Sequence, residues 1–242
     1  MPRETLVLLP GMMCNAGLFA PQSAAMRAQY DIIIPDLVSP SIEQMAQSVL
    51  DDITSKNFNL AGLSMGGIVA MEIVRQAPER VDRLALLDTN HFADAAANFA
   101  LRNRQIEDVK SGKLREVIIE EMKPVYLANK NRDNQALLDT LINMAMTVGS
   151  ETFIAQSIAL RDRSDQTEAL KNYLGPSLVL CGKEDNLCPV ERHEQMADLL
   201  VNSELKVVAD TGHISTLESP DKVTAAMKLW LQSPLATNTL SD

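Results

Sequence analysis

The chain has 242 residues, 46% of them hydrophobic and 22% charged, with a formal net charge of −10. This is the balance of one globular domain, or of a domain carrying an insert, with enough chain to bury a core. The negative charge argues against nucleic acid as a partner, and no apolar run approaches the roughly 20 residues that span a bilayer, so no membrane partner is expected.

The first apolar run, Thr5–Leu9, is preceded by Glu4 and cut short by Pro10-Gly11. It reads as a strand of the mature protein rather than a leader, which makes a cytoplasmic location the expectation. Further strands are predicted at Asp31–Ile34, Asn57–Ala61, Leu84–Asp88, Ser177–Cys181 and Glu204–Val208. Helices are predicted at Leu18–Ala28, Ile42–Thr54, Met65–Gln76, Val190–Val201 and Pro220–Leu231. The strands are short and mostly rich in Leu, Ile or Val, as when both faces of a sheet are covered. Their alternation with helices predicts a parallel sheet with right-handed crossovers.

One interval breaks the rhythm. Between Asp88 and Ser177 no strand signal occurs, but Leu114, Val117, Ile118, Met122 and Val125 form one helical stripe. Leu138, Leu141, Ile142, Ala145 and Val148 form another. A helical lid over residues 92–170 is therefore expected, splitting a core of residues 1–91 and 171–242 and lying over the sheet edge where open parallel sheets bind ligands. The polar tail Ser233–Asp242 is expected to fray.

Chemistry concentrates in "LAGLSMGG", residues 60–67. A strand must turn into a helix at Ser64, and the positions two before and two after that residue crowd one another. Gly62 and Gly66 occupy them. Gly62-Leu63-Ser64-Met65-Gly66 is thus a Gly-x-Ser-x-Gly nucleophile elbow that holds the serine in a strained backbone conformation. A serine hydroxyl needs a base. Of three histidines, His193 lies among charged residues of a predicted helix and is expected to be solvated. His91 follows a strand end, where a surface or structural role is expected. His213 follows the last strand, in "DTGHISTLESP", and is the chosen base.

The base needs a carboxylate to fix its tautomer. Asp185, in "VLCGKEDNLCPV", is the chosen partner, with Asp88 as rival and Glu184 as a weaker candidate. A tetrahedral oxyanion would be received by the backbone N–H groups of Met65 and of Met12 in "LLPGMMCNAGLF". Cys14, Cys181 and Cys188 match no zinc spacing and read as small buried hydrophobes, although Cys14 and Cys188 fall in loops near the expected site.

With these motifs in order, the chain resembles the α/β-hydrolase superfamily. The resemblance is carried by "LLPGMMCNAGLF", by "LAGLSMGGIVAMEIVRQAPERVDRLALLD", by "RDRSD" with "PSLVLCGKEDNLCPV", and by "GHISTLESP". It implies an α/β fold: a sheet of about six mostly parallel strands, flanked by helices, with an inserted helical lid. Two departures stand out: Pro10 replaces the usual histidine before Gly11, and "IIIPDLVSPSIEQ" lacks the usual glycine-rich loop after the second strand.

The resemblance implies a hydrolase. With the residues above, it points to a serine hydrolase cleaving a small or medium carboxylic ester, lactone or thioester through an acyl-enzyme. A small-molecule acyl substrate is then the expected partner, with no cofactor and no metal. Two alternatives keep the same fold: a hydrolase of a carbon–carbon bond in a diketone-like substrate, and a slow-turnover ligand sensor. Met12, Met13, Met65, Met122 and Met144 suggest an adaptable apolar acyl site, against core packing as the plainer role of the lid methionines. Arg161 and Arg163 could reach a substrate carboxylate, against a structural ion pair with neighbouring acids. With an unperturbed histidine, activity is expected to rise near pH 6.5.

Overall fold

A computed structural model describes residues 3–122 and 125–235, so residues 236–242 of the polar tail lie outside the described residues. Six strands form one sheet: β1 (Glu4–Leu9), β2 (Tyr30–Ile33), β3 (Phe58–Leu63), β4 (Val81–Leu87), β5 (Ser177–Gly182) and β6 (Ser203–Val208). Their order is β2-β1-β3-β4-β5-β6, and every neighbouring pair runs parallel.

The alternation of the strands decides which side chain faces which layer. Val7, Leu9, Leu60, Leu84, Leu86 and Val179 pack into one core with helices α2 (Ile42–Asp52), α3 (Met65–Gln76), α8 (Thr167–Asn172) and α9 (Val190–Leu199). Their neighbours Leu6, Leu8, Ala61, Leu63, Ala85, Leu87, Leu178 and Leu180 pack into the other core with α1 (Ala20–Met26) and α11 (Pro220–Leu231). α2 shows how the sequence sets a helix. Ser41 caps it, its Oγ accepting from Gln44 N–H at 3.3 Å. Ile42, Met45, Ala46, Val49 and Leu50 then form the buried stripe. The helix expected from Leu18 begins instead as a 3-10 turn over Ala16–Phe19, capped by Asn15, and becomes α-helical only at Ala20, just before Pro21.

Between β4 and β5 the chain carries α4 (Ala96–Lys110), α5 (Leu114–Glu116), a π-helical stretch Val117–Met122, α6 (Gln135–Val148) and α7 (Ser150–Arg161). Their own core joins Val109, Leu114, Val117, Ile118, Ala145 and Phe153 to Met13 from the sheet edge. The apolar stripe predicted at 114–125 is thus π-helical in its middle, and Val125 is exposed. The short helix α10 (Ser215–Glu218) precedes α11. Among the described residues, no helix is long and apolar enough to cross a membrane.

The chain runs from β1 to the edge at β2, then returns past β1 to β3. The strand order therefore switches direction between β1 and β3, and the loops leaving those two strands open a crevice at the sheet's C-terminal edge.

Candidate active site

Ser64 joins β3 to α3 at φ 56° and ψ −118°. Only a tight setting holds a residue with a Cβ there. Ser64 N–H donates to Leu87 O at 2.9 Å, and Ser64 O accepts from Thr89 Oγ1 at 2.8 Å. The flanking glycines are required by space: a Cβ on Gly62 would overlap the Gly66 carbonyl, and one on Gly66 would overlap the Leu9 carbonyl. Three further residues with positive φ, Met13, Asp88 and Asp210, follow β1, β4 and β6 at the same edge.

The structure brings Ser64, His213 and Asp185 together. Ser64 Oγ lies 2.9 Å from His213 Nε2, and His213 Nδ1 lies 2.8 Å from Asp185 Oδ2. With Nδ1–H donating to the carboxylate, Nε2 is left to accept from the serine hydroxyl. The other Asp185 oxygen accepts the N–H groups of Leu187 and Cys188, each at 2.9 Å. Asp88 stands behind this line and does not bond the imidazole. Its two oxygens accept from Gly182 N–H at 3.1 Å and Ser215 N–H at 3.0 Å. Glu184 accepts from Asn129 N–H at 2.9 Å, away from the imidazole.

The titrations of the three groups diverge. Burial pushes Asp88 up to about 8, helped by the charge of Asp185. Burial also works to raise Asp185, but the His213 charge, its hydrogen bond and the Cys188 N–H outweigh it, and Asp185 lies below the usual carboxylate range. For His213, burial works downward and Asp185 overrides it, so the imidazole lies above its ordinary value. An activity limb governed by His213 therefore falls above pH 6.5, not at the unperturbed value of about 6.5.

The loop after β1 lies against the serine. A Cβ on Gly11 would meet Ser64 Cβ at 3.4 Å. Among the described residues neither Met12 N–H nor Met65 N–H donates to a protein acceptor. Met65 opens α3, where backbone amides are unsatisfied by the helix itself. The support missing with Pro10 in place of a histidine comes from a residue that sequence reasoning passed over. Gln156 of α7 accepts from Met13 N–H at 2.9 Å and donates to Leu37 O at 2.8 Å, tying the β1 loop to the insert. Glu218 does similar work for the histidine loop, accepting from Gly212 N–H, Ala128 N–H and Asn131 Nδ2. Neither glutamine nor glutamate carried a periodic signal, because each bonds polar groups of loops rather than an apolar core.

His193 departs from expectation. Although its sequence neighbours are charged, it is fully buried in α9. Its Nε2 accepts from Thr89 N–H at 3.0 Å and its Nδ1 meets Pro189 O at 3.2 Å, so the neutral ring bridges α9 to the loop after β4, whose Thr89 bonds Ser64 O. Burial pulls it down to about 4. A base depressed on folding contributes stability that is complete above its unfolded value and lost as pH falls through its folded value. Unfolding free energy is thus expected to drop between pH 6.5 and 4 by on the order of 3 kcal/mol from this group. His193→Gln, which keeps an acceptor for Thr89, should flatten that limb in denaturant titrations taken across the same pH range. His91, in contrast to a surface role, is buried beside Phe92 with its ring centroids 4.0 Å apart.

A cavity of about 320 Å³ opens over Ser64 and His213. Met12, Met65 and Met122 line it, whereas Met13 and Met144 belong to the cores. All three cysteines are buried, and Cys188 lines the cavity with its thiol pushed up by burial and by Asp185. Arg161 pairs outside with Asp162 and Asn103, while Arg163 lines the cavity.

The sequence pattern of the Alpha/beta hydrolase family matches residues 6–226. The chain is similar to a thermophilic esterase from Thermogutta terrifontis, with a TM-score of 0.87 and 27% identity over 95% of this chain and 90% of that one. It also has the fold of the enol-lactonase from Burkholderia xenovorans LB400, with a TM-score of 0.86 and 19% identity over 96% of this chain and 91% of that one. In sequence it is 24% identical to the (E)-2-((N-methylformamido)methylene)succinate hydrolase of Acinetobacter baylyi, over 95% of this chain and 91% of that protein.

Proposed function

The chain belongs to the alpha/beta hydrolase family, and from that premise we propose that it is a serine hydrolase of small or medium carboxylic esters, lactones or thioesters, working through an acyl-enzyme. The observation that carries this reading is the unbroken line Ser64 Oγ–His213 Nε2 and His213 Nδ1–Asp185 Oδ2, at 2.9 and 2.8 Å, on the floor of a cavity. In the first half-reaction Ser64 Oγ attacks the carbonyl carbon while its proton passes to Nε2. Asp185 holds the resulting imidazolium, and the carbonyl oxygen, now an anion, is received by the N–H groups of Met12 and Met65. Collapse expels the alcohol or thiol, which takes the proton from Nε2. In the second half-reaction water, deprotonated by His213, attacks the acyl-enzyme and releases the acid and free Ser64. The insert closes the cavity as a lid, with Leu101, Met122 and Val125 among the residues that face the acyl chain.

Diethyl p-nitrophenyl phosphate tests this reading. One equivalent should phosphorylate Ser64, located by peptide mass mapping, and turnover of p-nitrophenyl butyrate should fall in step. Turnover that survives complete labelling, or a label found elsewhere, would overturn the assignment. Labelling of Ser64 in a protein that turns over no ester, lactone or thioester would favour the sensor.

A further inference from the structure

The cavity is not apolar throughout. α4 presents Asn98, Leu101, Arg102 and Gln105 to it, spaced as one helical face. At the foot of that face Asp94, whose side chain is 2% exposed, accepts from Asn98 Nδ2 at 2.9 Å and Arg102 Nε at 2.5 Å, and meets Arg163 Nη2 at 3.4 Å. Two guanidiniums therefore share one carboxylate. Arg163, 7% exposed, is fully engaged, because Nε donates to Phe92 O and Nη1 to Leu160 O. Arg102, 18% exposed, spends only Nε. Its Nη1 and Nη2 have no partner among the described residues. Glu121, the other acid lining the cavity, does not balance it, since both oxygens are taken by Arg104 and one also by Gln105. The shared carboxylate leaves one positive charge in the cavity without an anion of its own, and a guanidinium edge with free N–H groups is a site for one. A chain of net charge −10 does not acquire a positive pocket by overall excess.

We propose that the cleaved substrate carries a carboxylate, and that Arg102 receives it in the cavity shared with Ser64. This deepens, and rests on, the reading of Ser64 as nucleophile. Asp94 fixes the Nε edge of the guanidinium, which leaves the terminal edge for a two-point contact with a carboxylate. Leu101, Leu160 and Met122 line the same cavity and suit a methylene segment. A cavity of about 320 Å³ sits at the small end of ligand pockets, which points to the half-ester of a short dicarboxylic acid or a lactone bearing one acid group.

The test compares monomethyl glutarate with methyl valerate by pH-stat titration. The expected kcat/KM favours the anionic ester by about 10- to 100-fold. In Arg102→Gln that ratio should collapse by a similar factor, mainly through KM for the anionic ester, with partial return in Arg102→Lys. Arg161→Gln, outside the cavity, should keep the ratio. Calorimetry of glutarate binding to Ser64→Ala reads the site without turnover, and binding should vanish in Ser64→Ala/Arg102→Gln. Equal turnover of the two esters with no glutarate binding would overturn the carboxylate site and leave the nucleophile standing. Glutarate held through Arg102 in a protein with no Ser64-dependent turnover would overturn the nucleophile and leave an anion pocket. Neither turnover nor binding would overturn both.

Discussion

Replacing Ser64 by alanine is expected to lower kcat on p-nitrophenyl butyrate by on the order of 10⁶-fold, the scale on which a serine nucleophile acting as one unit with its histidine is lost. The oxygen removed is the group bonded to His213 Nε2, and the oxyanion donors proposed above are backbone amides that the substitution leaves in place. A residual rate of about 10³-fold over water should therefore persist from positioning alone. The fold should survive, because alanine carries the same Cβ as serine and meets the same constraint at φ 56°. Ser64→Gly sharpens the point. It loses the same oxygen, yet glycine adopts positive φ without the Cβ penalty, so this variant should be the more stable of the two by about 1 kcal/mol. Steady-state kinetics beside thermal unfolding separates the two effects. Unchanged turnover in either variant would remove Ser64 from the chemistry.

The elbow was legible because its steric demand is local. Gly62 and Gly66 must be small for Ser64 to turn, and that need is written within five residues. Asp185 and His213 were legible by a longer inference: each follows a strand placed by the alternation of strands and helices, and all strands of a parallel sheet end at the same edge. The residues that escaped share a different trait. His193 looked solvated because its sequence neighbours are charged, but helix α9 turns that one position inward, where it accepts from Thr89 N–H. Gln156 bonds two backbone groups, those of Met13 and Leu37, that lie far away in the chain. Arg102 sits on a helix whose cavity face is largely polar, so α4 offered no apolar stripe to read. Periodicity reports what faces a hydrophobic core. It is silent on what faces a polar cavity or a distant backbone group.

Asp185→Asn is expected to cost about 10⁴-fold in kcat at neutral pH, by the logic that an amide turns the imidazole to the wrong tautomer. An Asn amide can donate to Nδ1, which leaves the proton on Nε2, facing Ser64 Oγ, where an acceptor is needed. The charge that holds His213 above its ordinary value also disappears. Burial then opposes only the weaker pull of Asp88 and Glu218, and the acid limb of the residual activity should move to lower pH than in the parent protein. Asp88→Asn should lose far less. Asp88 touches Gly182 and Ser215 N–H, not the imidazole, and burial has pushed its carboxyl up to about 8, so below pH 7 it is mostly protonated already. The acid limb should stay close to the parent's. Two buried carboxylates near one imidazole cannot both be charged cheaply, and their environments sort them: each accepts two amides, but the one bonded to the imidazole keeps the charge, and the fully buried one behind keeps the proton. pH–rate profiles of the two variants read that sorting directly. A larger loss in Asp88→Asn than in Asp185→Asn would mean that the charge resides on the other carboxylate.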